Sequence, residues 1–141
     1  MVDPIVEKRF EYKGYPCVIF FMPMCYRCGY VGLQRGVAYN LKEIECHGGI
    51  TYNKPYLWKQ DDPDKSWIGF DCIHYPDGFD VDYGLEYWRN NEEQYNTVVN
   101  LATRFENRCS PWSLKRVENE CKFIVDQIEE DLHCSMNEDK K

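Results

Sequence analysis

Apolar positions change their period once along this chain, near residue 85. Before that point the pattern is that of strands. Val6 to Lys13 is a mixed segment that ends at Gly14, and Cys17-Val18-Ile19-Phe20-Phe21-Met22 follows. The step Lys13-Gly14-Tyr15-Pro16 reads as a turn between two strands. The second strand is apolar on both faces, which places it in the middle of a sheet or under a helix. Gly29 to Leu33 continues as a strand, and Arg35-Gly36 as a turn. Ile44 to His47 alternates briefly, and Gly48-Gly49 ends or kinks it. Ile50-Thr51-Tyr52 resumes the pairing. Asn53 to Ser66 carries the breakers of a loop, and Trp67 to Cys72 is again a strand. There the alternation puts Phe70 and Cys72 on one face and Asp71 on the other.

After residue 85 the spacing becomes helical. Trp88, Tyr95, Val98, Ala102 and Phe105 recur at three, four or seven, which predicts an amphipathic helix over about 85–107. Ser110-Pro111 marks the next helix start. Leu114, Val117, Cys121, Ile124, Val125, Ile128 and Leu132 then form one stripe over about 111–132. Glu118, Asp126, Glu129 and Glu130 form its outer, acidic face, and the tail 135–141 should fray. Strands first and helices last predict an α+β domain over residues 1–141. Its antiparallel or mixed sheet spans about 5–72, with a loop over 71–84 and two C-terminal amphipathic helices packing the sheet.

Composition adds a compartment. Eight cysteines invite a disulfide framework, but Met1 to Phe10 is charged and lacks the apolar core of a signal peptide. No apolar run approaches the ~20 residues of a membrane helix. The expectation is a soluble cytoplasmic protein with reduced thiols buried as small apolar groups. Charge adds a partner class. The net charge is −7, and residues 61–93 alone carry 10 acidic against 2 basic groups. Such a surface disfavours direct nucleic-acid binding, which depends on Lys and Arg. It suits cations or a basic protein surface. Asp61, Asp62 and Asp64, in the loop, are the residues expected to meet that partner.

Candidate chemistry gathers at residues 47–77. Asp71, His74 and Asp77 fall at i, i+3 and i+6, a spacing that short turns bring to one side. His47 precedes two glycines that let the backbone approach closely. Imidazole and carboxylate together suit zinc or a similar divalent ion, with Cys72 and Cys28 as reserve thiolate ligands. A structural metal in a binding protein is one reading. A metal-dependent hydrolase is the alternative, since two imidazoles and a carboxylate can leave a position open for water. Cys25-Tyr26-Arg27-Cys28 has the spacing of a zinc knuckle or a redox pair. It lacks a second CxxC, and its context reads as strand rather than a helix start.

Tyr26-Arg27-Cys28-Gly29-Tyr30-Val31-Gly32, His47-Gly48-Gly49-Ile50-Thr51-Tyr52 and Trp67-Ile68-Gly69-Phe70-Asp71-Cys72-Ile73-His74 with Asp77 stand in this order. Together they resemble a family of small proteins of bacteriophages and prophages. The resemblance covers about residues 14–80. Family members often carry His in place of Tyr26 and Gly-His-Pro in place of Gly36-Val37-Ala38. What carries over is therefore limited to His47, Asp71, His74 and Asp77. In size and acidity the chain is also similar to anti-CRISPR inhibitors of type II-A Cas9. That likeness implies a non-enzymatic protein acting in the host bacterial cytoplasm, with Cas9 as first candidate partner.

Overall fold

Lys13 and Gly14 both take left-handed backbone, at φ of 51° and 84°. That two-residue turn has the twist antiparallel strands require, and Gly14 meets it without steric cost. It joins β1 (Ile5–Tyr12) to β2 (Tyr15–Phe21). The computed structural model describes residues 2–73, 78–104 and 111–139, with side chains to residue 133. β3 (Arg27–Gln34), β4 (Tyr52–Lys54) and β5 (Lys65–Asp71) complete a five-stranded antiparallel sheet of order β1-β2-β3-β5-β4. The doubly apolar β2 lies inside it, as its pattern predicts. Residues 44–47 form no strand. A 3-10 turn over Leu41–Glu43 precedes them, and pairing resumes only at Tyr52.

α3 (Leu114–Asp139) lies across one face of the sheet. Val117, Cys121, Ile124, Val125 and Ile128 are buried against Cys17, Ile19, Val31, Leu33, Ile68, Phe70 and Cys72. The predicted stripe is therefore the real one. Its limits differ: the helix starts at Leu114, where the Ser113 hydroxyl accepts from Arg116 N at 3.2 Å, and it continues through part of the expected tail. The other face of the sheet packs Val18, Phe20 and Trp67 beneath Leu57 of the β4–β5 loop.

The single helix expected over 85–107 is two. α1 (Val81–Tyr87) and α2 (Glu92–Arg104) are split where Asn91 caps the second helix, its Oδ1 accepting from Gln94 N at 3.1 Å. A capping oxygen satisfies an orphan donor and starts a new helix axis. The inward stripe of α2 is Gln94, Val98 and Leu101, so Tyr95 is exposed instead of packed. Phe105 lies outside the described residues. The pair packs at one end of the sheet, around Phe21 and Cys25. Gly84 is the contact point: a methyl there would run into Cys25 Sγ and meet Val98 at 3.2 Å.

Three carboxylates on the acidic side of α3 bond to the β1–β2 hairpin, while Glu130 stays exposed. Glu118 is only 8% exposed and bonds Lys8 of β1 at 3.0 Å. Asp126 accepts from Lys13 at 2.7 Å and from Tyr12 at 3.0 Å, and Glu129 from Tyr15 at 2.6 Å. These bonds pin the β1–β2 hairpin to the helix. Lys8 holds the Glu118 carboxyl below its ordinary value, and Lys13 does the same for Asp126. The unfolded chain then binds protons that the folded one refuses, so stability rises with pH through this range. The contribution should be complete above the ordinary carboxylate values and lost as pH falls through the lower folded values. Urea midpoints measured from pH 6 down to pH 2 should show a fall that is shallower in Glu118→Gln with Asp126→Asn. An unchanged slope in that double variant counts against these pairs.

Candidate functional site

Arg27 opens β3 and is only 1% exposed, and a buried guanidinium requires partners for both charge and donors. It has them. Nε donates to Glu7 Oε1 at 2.7 Å and Nη2 to Glu7 Oε2 at 3.2 Å. Nη1 donates to Asp80 Oδ2 at 2.6 Å and to the Trp112 carbonyl at 2.9 Å. Tyr87 O–H completes Glu7 at 2.5 Å. The guanidinium also lies over the rings of Phe21 and Tyr83, at 5.1 and 4.8 Å. Burial opposes its charge, yet the bonds to Glu7 and Asp80 outweigh that and hold its pKa above the ordinary value. Burial and the bond to Glu7 raise Tyr87 likewise. One side chain thus ties β1, the cap of α1 and the approach to α3 to the start of β3. Asp80 does double duty, since its other oxygen caps α1 at Tyr83 N, 3.5 Å away.

Next to this hub stands Trp112. The His47 ring stacks on it, with centroids 4.1 Å apart, and the Arg116 guanidinium lies 3.9 Å from the same ring. The His47 backbone N–H donates to Glu120 Oε1 at 3.1 Å. His47 therefore belongs to the α3 side of the sheet. Asp71 ends β5 opposite Cys28, on the other face. It accepts from Thr51 Oγ1 at 3.0 Å and from Ile73 N at 3.4 Å. His74 and Asp77, the other two expected ligands, lie outside the described residues. Among the described residues, no group of three or more His, Cys, Asp and Glu side chains is arranged to hold a metal ion.

Among the described residues, the thiols of Cys17, Cys25, Cys28, Cys72 and Cys121 are buried and Cys46 is half-buried. Cys72 packs in the α3 core beside Phe70, on the face opposite Asp71, as strand alternation requires. The two thiols of the CxxC diverge. Cys25, at a φ of 65°, sits in the turn under Gly84, and Cys28 sits on β3 across from Asp71. Burial pushes Cys17, Cys25 and Cys28 up to about 12 and Cys46 up to about 11. Thiols held protonated in this way are poor nucleophiles at neutral pH. A cleft lined by Tyr39, Asn40, Ile44, Ile128 and Asp131 has room for about one water molecule.

Charge is distributed differently from the sequence block. Asp61 and Asp64 are exposed and Asp62 is half-buried, on the loop before β5. Arg35 ties that loop down, donating to the Lys65 carbonyl at 2.9 Å and to the Pro55 carbonyl. Asp82, Glu86, Glu92 and Glu93 are exposed on α1 and α2. β5 runs from the first group toward the end of the sheet that holds the second, so the acidic block splits into two surfaces. No described helix is long and apolar enough to cross a membrane. No family model, curated protein or solved structure matches this chain.

Arg27 and its carboxylates were not singled out from the sequence, because a lone Arg in a CxxC gives no sign of burial. The available signals were Asp80 before an apolar turn and the Asn91-x-x-Gln94 spacing of a capping box.

Proposed function

We propose that this chain is a non-enzymatic binding protein. Its partner is a protein with a basic surface, with Cas9 the first candidate. The observation that carries the reading is a division of labour among polar groups. Buried ones such as Arg27, Glu7 and Glu118 are spent on holding elements together, whereas Asp61, Asp64, Asp82, Glu86, Glu92 and Glu93 stand at the surface. Complementary charge of this kind raises association rates and makes binding depend on salt. Nucleic-acid channels in Cas9 are positively charged, so an acidic partner could occupy them. A structural metal, zinc or a similar divalent ion, is part of the proposal. Asp71, His74 and Asp77 supply its carboxylates and imidazole.

The test is cleavage of target DNA by guide-loaded Cas9, with and without the protein, at two salt concentrations. Cleavage should be inhibited, and less so at the higher salt. Full cleavage under both conditions, with no complex on gel filtration, rejects the partner. Elemental analysis of the same sample should find about one divalent ion per chain, as structural sites hold. His74→Ala should lose both the ion and stability while partner binding persists. Metal-free protein, together with native stability of His74→Ala, rejects the metal.

A further inference from the structure

α2 carries two stripes, and the cluster around Phe21, Cys25 and Trp88 uses one. Gln94, Val98 and Leu101 face inward. Glu92, Tyr95 and Val99 recur at three and four on a neighbouring stripe, where side chains one turn apart lie together. Tyr95 is 37% exposed and Val99 39%. α1 and α2 also expose Asp82, Glu86, Glu92 and Glu93. Arg89, between the two helices, is bonded to Glu86 at 3.3 Å, and Arg104 closes the last turn of α2.

We propose that this outward stripe of α2 is the docking surface, and that its occupant is a basic protein surface. The inference rests on the binding reading above and names the face that performs it. Charge complementarity selects the occupant: an apolar pair on a helical hairpin that exposes four carboxylates against two arginines fits an apolar seat flanked by Lys and Arg. Aromatic anchors at the centre of such patches dominate binding, and rim charges set rate and specificity. The β4–β5 loop is the weaker candidate. Its Asp61, Asp62 and Asp64 are mixed with Arg35, Lys54, Lys59 and Lys65, and its exposed rings carry cations. Lys59 lies 4.7 Å over Trp58, and Lys54 5.8 Å over Tyr56.

The α2 face is also held in place before any partner arrives. Gln94 Nε2 donates to the Pro23 carbonyl at 2.8 Å, Gly84 seats α1 against Cys25, and Arg27 grips Asp80 at 2.6 Å. A pre-ordered face avoids part of the entropy cost of association.

The experiment uses the full chain with guide-loaded Cas9 as the probe. Affinity is measured for wild type, Tyr95→Ala with Val99→Ser, and Asp61→Asn with Asp62→Asn and Asp64→Asn. Hydrogen exchange of the wild-type complex is measured alongside. The expected result is a loss of about tenfold or more for the α2 variant, the scale of a lost anchor. The loop variant should bind like wild type, and residues 92–103 should gain protection in the complex. Because protection is read on wild type, a misfolded variant cannot decide the outcome. A complex that forms but protects residues 55–64 instead, with the α2 variant binding normally, overturns the inference and leaves the binding reading standing. Absence of any wild-type complex removes both.

Discussion

Arg27→Met should destabilise the fold by about 3–5 kcal/mol, the cost of breaking a buried ion pair from one side. The loss of attraction is the smaller part of this effect. Glu7, whose side chain is 1% exposed, would keep its charge with only Tyr87 O–H beside it, and Asp80 would keep only its role as a cap. The Trp112 carbonyl would lose its donor as well. Three junctions depend on this one group, so the damage should extend beyond β3 to the seating of α1 and the approach to α3. Arg27→Lys should recover little. An ammonium cannot reproduce the bidentate fork on Glu7 together with the bonds to Asp80 and Trp112. Arg27→Met with Glu7→Gln should recover part, because it removes one stranded charge. Urea unfolding measures all three variants, and a native midpoint for Arg27→Met would show that the cluster is dispensable.

Ile124→Asp should cost a comparable amount, about 3–5 kcal/mol, by placing an unpaired charge in the middle of the main core. Ile124 is fully buried on the stripe of α3 that covers the sheet. Ile124→Ala should cost somewhat less, about 2–5 kcal/mol, through lost contact and a residual cavity. Both act on the same helix–sheet layer, so thermal melting and urea should rank them alike. If the aspartate variant melts like wild type, α3 is not seated on that face.

Strands, their turns and the stripe of α3 were legible because each rests on a local period or a local φ preference. Lys13-Gly14 makes a hairpin by its own backbone geometry, and Leu114 to Leu132 reads as a helix in any context. The stripe read across residues 85–107 held at Trp88 and Val98, which are buried, and missed at Tyr95, because nothing in its spacing reports the new axis that Asn91 begins.

The acidic face of α3 shows the limit most clearly. Glu118, Asp126 and Glu129 look solvated in sequence, and a one-dimensional pattern cannot show that Lys8, Lys13, Tyr12 and Tyr15 approach from a hairpin more than a hundred residues away. The candidate site divides in the same way. Alternation along β5 was enough to separate Asp71 from Cys72. Only the tertiary structure stacked His47 on Trp112, buried Arg27 between Glu7 and Asp80, and sent the two halves of the acidic block to opposite ends of the sheet. By itself the sequence determined the hairpin, the strands β2, β3 and β5 and the apolar stripe of α3, since those follow from neighbours a few residues apart. Tertiary structure decided which charges are paired, which rings are exposed and which acidic groups stay at the surface. Those depend on groups distant in the chain that meet only when the sheet closes under α3.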